Sequence, residues 1–199
     1  MTGERIQRVK DAVEGETILD LGAAQHDASK EQNGDWLHKH LCEECSRVVG
    51  VDYLPKPVAE LNKRGYEFVQ ADVTEMQLDI EADTVVAGEL IEHIDNPGLM
   101  LDCIQDHLKP GGALVLTTPN PWGLPILRRI LSGRLSINEE HVAWYGPTVL
   151  EQLLERYAFE VEWCETTRRN HYGLSRLAQT LDWDLLGGTT WVLKARFNP

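Results

Sequence analysis

Apolar and polar positions along the chain change period again and again. Short apolar runs rich in β-branched residues, such as Thr17-Ile18-Leu19-Asp20-Leu21 and Val48-Val49-Gly50-Val51, alternate with stretches whose apolar positions recur every third or fourth residue. Near-continuous apolar runs of about four to eight residues suit strands buried on both faces, and the longer recurrence suits amphipathic helices. The pattern predicts strands near 17–22, 47–52, 66–70, 83–88 and 112–118, and two more near 159–167 and 189–196. It predicts helices near 4–13, 35–45, 55–64, 97–108 and 147–157, with a short turn near 74–79. Gly65 fits a helix C-terminal stop, and Lys109-Pro110-Gly111-Gly112 fits a break before the fifth strand. Strands alternating with helices argue for an α/β fold: a doubly wound, mostly parallel sheet with helices on both faces. The ligand crevice of such a sheet lies at the strand C-termini.

At 199 residues the chain is expected to form a single domain over 1–199, with an N-terminal helix in 1–15. Two segments, 119–146 and 168–188, are expected to cover the acceptor side of the crevice. No apolar run approaches the roughly 20 residues that span a bilayer, so no transmembrane segment is expected. The opening residues Met1 to Ile6 lack the apolar stretch of a signal peptide, and a cytoplasmic location is expected. The formal net charge is −13, from 32 acids and 19 bases, which argues against broad contact with a nucleic-acid backbone. Cys42-Glu43-Glu44-Cys45 is a CxxC, and His38 would share its helix face. No second pair closes a zinc set, so packing is the preferred role for these cysteines.

Chemistry gathers where the strands end. The first strand closes on Asp20-Leu21-Gly22-Ala23-Ala24, an acid followed by a turn of small residues that lets backbone N–H groups approach a ligand. The second strand ends at Asp52-Tyr53, where a carboxylate can accept the two hydroxyls of a ribose. A nucleoside-containing cofactor follows. With one glycine in place of G-x-G-x-x-G, the turn does not suit a dinucleotide pyrophosphate. Three further stretches continue the set: Ala71-Asp72-Val73, Val85-Val86-Ala87-Gly88-Glu89, and Leu108-Lys109-Pro110-Gly111-Gly112 with its following strand. In this order and spacing, across residues 17–165, the chain resembles class I S-adenosylmethionine-dependent methyltransferases. The resemblance implies a seven-stranded Rossmann-like sheet and S-adenosylmethionine as cofactor. It implies a methionine site at Asp20, Gly22, Ala23 and Ala24, and a ribose site at Asp52 and Tyr53. It implies adenine contacts at Ala71, Asp72 and Val73, and a wall beside the sulfonium at Gly88 and Glu89. Ala24 and His26 replace later glycines of the family turn, and residues 26–34 lengthen it, as a cover loop or as a plain surface loop.

Glu89-Leu90-Ile91-Glu92-His93, with His141 downstream, resembles a pattern found in ubiquinone-pathway O-methyltransferases and small-RNA 2′-O-methyltransferases. Glu89, His93 and His141 are therefore the candidate catalytic residues, with His93 or His141 as general base. In those families the acids and histidines hold a divalent ion, so Glu89, Glu92, His93 and His141 form a candidate set for magnesium or manganese. The metal-free reading is preferred. Arg128, Arg129 and Arg134, with Arg168 and Arg169, suggest an anionic acceptor. The neighbouring apolar positions Ile126, Leu127, Ile130 and Leu131 suit a lipid-linked acceptor, a peripheral membrane contact, or a lid packed on the domain. The leading expectation is methyl transfer to a small-molecule, sugar- or lipid-linked acceptor, at oxygen. The alternatives are an RNA ribose methyltransferase, against which the charge counts, and a non-catalytic cofactor-binding regulator. The oligomeric state is left open.

Overall fold

Neighbouring residues of the buried strands face opposite sides of one sheet in the computed structural model, which describes residues 3–24, 35–135, 137–167 and 184–199. In chain order the elements are α1 (Glu4–Ala12), β1 (Thr17–Leu21), α2 (Leu37–Cys42), β2 (Arg47–Asp52), α3 (Pro55–Lys63), β3 (Glu67–Gln70) and β4 (Ala82–Gly88). They continue with α4 (Pro97–His107), β5 (Leu108–Pro119), α5 (Leu124–Leu131), α6 (Pro147–Glu155), β6 (Phe159–Thr166), α7 (Asp184–Gly187) and β7 (Thr190–Phe197). The sheet has seven strands in the order β3-β2-β1-β4-β5-β7-β6. Pairing is parallel from β3 to β5, while β7 runs antiparallel to both β5 and β6. This is the doubly wound, Rossmann-like sheet expected, with one antiparallel strand.

The strand period of two divides the core. Leu19, Leu21, Val49, Val51, Leu114 and Leu116 join Met100, Leu101 and Ile104 of α4 and Leu150 and Leu154 of α6 in one cluster. Ile18, Val48, Val86 and Val115 join Ile6 and Val9 of α1 and Leu37 and Leu41 of α2 in another. Both faces are covered, which is why these strands are apolar at nearly every position. Strand order reverses between β1 and β4, the switch point at which ligands bind in open α/β sheets.

Some expectations shift. The fifth strand begins at Leu108, paired with Ala82, and Lys109–Gly112 then bulge out before regular pairing resumes at Ala113. Gly111 supplies the positive φ of 77° there, so the break signal marks a bulge inside the strand. Helix α2 spans only Leu37–Cys42 of the predicted 35–45. Segment 119–146 contains α5, of which no residue is buried: Leu127, Ile130 and Leu131 are exposed and Ile126 is half-buried. His26, the 26–34 insertion, Arg168, Arg169 and residues 168–183 of the second covering segment lie outside the described residues. Among the described residues no helix is long and apolar enough to cross a membrane.

Candidate functional site

The C-terminal ends of β1, β2 and β4 open onto a cavity of about 820 Å³. The size falls within the usual range for small-ligand pockets. Asp20, Gly22 and Ala23 line it from the first turn, and Asp52 and Tyr53 from the second strand. Ala71, Asp72 and Val73 line it beyond β3, and Gly88, Glu89 and His93 beyond β4. Ala24 is not in the lining; its N–H donates to Asp52 Oδ2 at 3.0 Å. Leu54 N–H donates to Asp52 Oδ1 at 3.0 Å, so the carboxylate ties the two strand tips together. A carboxylate has about four lone-pair sites, which leaves capacity for a ligand's hydroxyls. Gly22 sits at φ 67°, and a β-carbon there would lie 2.9 Å from Leu90 Cδ1. The left-handed conformation calls for glycine, and a side chain there would also have to displace the Leu90 methyl. Asp72 Oδ1 accepts from Thr74 N–H (2.9 Å) and Oγ1 (2.7 Å), which fixes the acid at the cavity edge.

Asp20 is held from an unexpected direction. His38 of α2 is fully buried and donates from Nδ1 to Asp20 Oδ2 at 2.9 Å. The rings of Phe68, Trp36 and Tyr66 pack around the imidazole at centroid distances of 4.5, 5.3 and 5.8 Å. His38 Nε2 is buried with no hydrogen-bond partner among the described residues. His38 thus serves Asp20 and not the CxxC. Burial pushes the Cys42 thiol up to about 11, aided by Asp20, and raises the Cys45 thiol too, so neither is a ready thiolate. Arg5 of α1 also lines the cavity; a β-carbon on Gly88 would lie 3.5 Å from its Nη1. Sequence reasoning missed Arg5 and set His38 beside the CxxC and not on Asp20, because nothing local marks a helix residue that reaches another strand's tip.

At the end of β4 the chain turns sharply. Glu89 adopts φ 53°, a left-handed conformation that costs a non-glycine residue about 1–3 kcal/mol. Its N–H donates to Thr117 O (2.9 Å) and Oγ1 (3.1 Å), which pins the turn to β5. A 3-10 turn over Ile91–His93 follows. Glu92 is 1% exposed and accepts from Thr118 Oγ1 at 2.9 Å, while its Oε1 and Glu89 Oε1 are buried without partners among the described residues. Burial, reinforced by the Glu89 charge, pushes the Glu92 carboxyl up to about 7. The Glu92 carbonyl accepts from Val142 N–H (2.9 Å) and Ala143 N–H (3.3 Å). That clamp brings the His141 ring to 4.7 Å from His93, edge to face. Burial and then His93 lower the His141 pKa, opposed by Glu89 and Glu140. Potential ligand atoms of Glu92, His93 and His141 all lie within 4.8 Å of one another. Glu89, the fourth residue of the candidate metal set, is outside that triad. Arg128 and Arg129 are exposed on α5 and absent from the cavity lining.

A family model described as a methyltransferase domain matches residues 3–162. The chain belongs to the methyltransferase-domain family. It is a class I S-adenosylmethionine-dependent methyltransferase domain. The ubiquinone biosynthesis O-methyltransferase of Rattus norvegicus mitochondria is 34% identical over 169 residues, covering 74% of this chain and 45% of that protein. That of Dechloromonas aromatica is 28% identical over 114 residues, covering 53% of this chain and 45% of that one. The chain thus spans about half the length of the curated relatives it matches. Among solved structures, a methyltransferase of Thermotoga maritima superposes with a TM-score of 0.71 at 15% identity, covering 98% of this chain and 88% of that one. An N-methyltransferase of Bradyrhizobium japonicum, in complex with S-adenosylhomocysteine, gives 0.59 at 19% identity, covering 98% and 83%. These structures share the fold.

Proposed function

We infer that this methyltransferase domain binds S-adenosylmethionine in the cavity at the β1–β4 switch point and methylates an oxygen of a small-molecule, sugar- or lipid-linked acceptor. When bound, the cofactor supplies an electrophilic methyl group on a sulfonium. The chain's own groups match the rest of it. Asp52 would accept the ribose hydroxyls, Asp72 the adenine amine, and the backbone at Gly22 and Ala23 would hold the methionine part. Asp20, held by His38, would take the ammonium, and Arg5 the carboxylate.

The observation that carries the oxygen assignment is the meeting of His93 and His141 beside Glu89 and Glu92, next to the cofactor cavity. Methyl displacement needs alignment and, for a hydroxyl acceptor, removal of a proton. His141, with its pKa held down, is neutral at physiological pH and can take that proton. The names of the curated O-methyltransferase relatives support the same reading. The Glu92–His93–His141 triad also favours a second reading, in which these residues, with Glu89 alongside, hold magnesium or manganese against the acceptor oxygen and make it more acidic.

The test has two parts. Calorimetry should show S-adenosylhomocysteine binding, weakened at least about tenfold in Asp52→Ala, as loss of a charged hydrogen-bonding group implies. Absence of binding to the parent protein would sink the reading. Transfer of labelled methyl groups to a panel of phenolic, sugar and prenylated acceptors should then fall about 10²–10⁴-fold in His141→Ala or His93→Ala, the usual worth of a general base. Turnover unchanged by a chelator selects the histidine base; turnover lost and restored by magnesium or manganese selects the metal.

A further inference from the structure

Helix α5 is poorly explained by the domain it belongs to. Its base is fixed: Asn120 Nδ2 donates to Gly188 O (3.0 Å), Trp122 N–H donates to Asn120 Oδ1 (3.0 Å), and Trp122 lies against Gly146. Beyond that anchor no residue of the helix is buried. Leu127, Ile130 and Leu131, one face by their spacing, are 38%, 46% and 79% exposed. The described residues from Leu127 to Glu140 are all exposed, among them Leu135 and Ile137 at 40% and 45%. A helix of eight residues is too short to hold itself in water and draws stability from whatever covers its apolar face.

Charge says what that cover is. Residues 122–137 carry Arg128, Arg129 and Arg134 and no acid, within a chain of net charge −13. None of the three arginines is ion-paired among the described residues. A locally basic, apolar, amphipathic segment on an acidic body complements an anionic lipid surface. A second copy of the chain fits poorly, since a two-fold contact would set these arginines against themselves. We propose that α5 and the segment running to Ile137 dock on an anionic lipid bilayer, with Leu127, Ile130 and Leu131 in the acyl boundary and the arginines at the headgroup phosphates. The chain then returns through Asn138 and Glu140, which line the cofactor cavity. Docking therefore brings the cavity mouth to the lipid surface, where an apolar acceptor would partition. This inference rests on the surface of α5 and not on the identity of the acceptor.

Flotation with phosphatidylcholine vesicles, with and without phosphatidylglycerol, tests it on the whole chain. The protein should float with the anionic vesicles and lose binding as salt rises. Each arginine is worth roughly fivefold in affinity near such a surface, so Arg128→Glu/Arg129→Glu should weaken binding by more than about 25-fold. Leu127→Asp/Ile130→Asp should abolish it. All four positions are exposed, and unchanged S-adenosylhomocysteine affinity and melting temperature in the variants would show the fold intact. The proposal is overturned if the parent protein stays with neither vesicle or binds both equally. It is overturned also if light scattering finds a dimer that Leu127→Asp/Ile130→Asp dissolves, since a second copy would then be the cover.

Discussion

Replacing Glu92 with glutamine should remove most of a pH dependence built into the fold. Glu92 is buried against β5, where Thr118 Oγ1 donates to it, and burial raises its carboxyl from 4.5 to about 7. The sign follows from proton counting: between those values the folded state holds a proton that the unfolded chain has released, so stability falls as pH rises through the window. Over that span, at roughly 1.4 kcal/mol per pH unit, ionised Glu92 costs the folded state about 3 kcal/mol near pH 8. His141 acts in the opposite sense, because its lowered pKa adds stability that is lost as pH falls below its ordinary 6.5. The ion-paired carboxylates Glu14, Glu67 and Asp83, lowered chiefly by their Arg196, Arg47 and Lys109 partners, have delivered their stabilisation before this window opens. Both proteins share those groups, so their difference isolates Glu92. Glutamine keeps an oxygen for Thr118 and carries no charge at any pH. Urea unfolding in the presence of a chelator, from about pH 5 to 8.5, should show Glu92→Gln gaining on the parent protein by up to about 3 kcal/mol toward the alkaline end. Parallel stability curves would refute the argument, because an ionised Glu92 would then be compensated in the folded state.

His38→Phe keeps an aromatic ring within the Trp36–Tyr66–Phe68 cluster but leaves the buried Asp20 carboxylate without its Nδ1 donor, so unfolding stability should fall by about 1–3 kcal/mol. Its S-adenosylhomocysteine affinity should fall about tenfold by calorimetry, as expected for a hydrogen bond to a charged group, while methylthioadenosine, which lacks the amino-acid end, binds as before. Equal losses for both ligands would make His38 a packing residue only. Gly22→Ala should lower unfolding stability by about 1–2 kcal/mol, the strain of a left-handed alanine; an unchanged denaturation midpoint would mean the turn can relax.

The order of elements was legible because buried parallel strands carry their signal locally. Ile18-Leu19-Asp20-Leu21 and Val48-Val49-Gly50-Val51 are apolar on both faces because both are covered, and that requirement writes continuous apolar runs into the chain. The acids at strand ends were legible for a related reason. Asp20, Asp52 and Glu89 stand where chain direction changes, and the switch-point rule then brings those ends around one crevice. The bulge in β5 was not legible, since Pro110 and Gly111 give the same local signal whether they end a helix or interrupt a strand.

What the sequence determined by itself was therefore the parallel sheet, the acids at its tips and a nucleoside-bearing cofactor, all of which depend on residues close together in the chain. Tertiary structure alone decided the contacts that cross it. It put His38 on Asp20 and Arg5 in the crevice, and it clamped the chain after α5 onto Glu92 so that His141 meets His93 across 48 residues. It also left α5 uncovered. Apolar spacing shows that a helix has a face to bury, but only the packed structure shows whether the domain buries it.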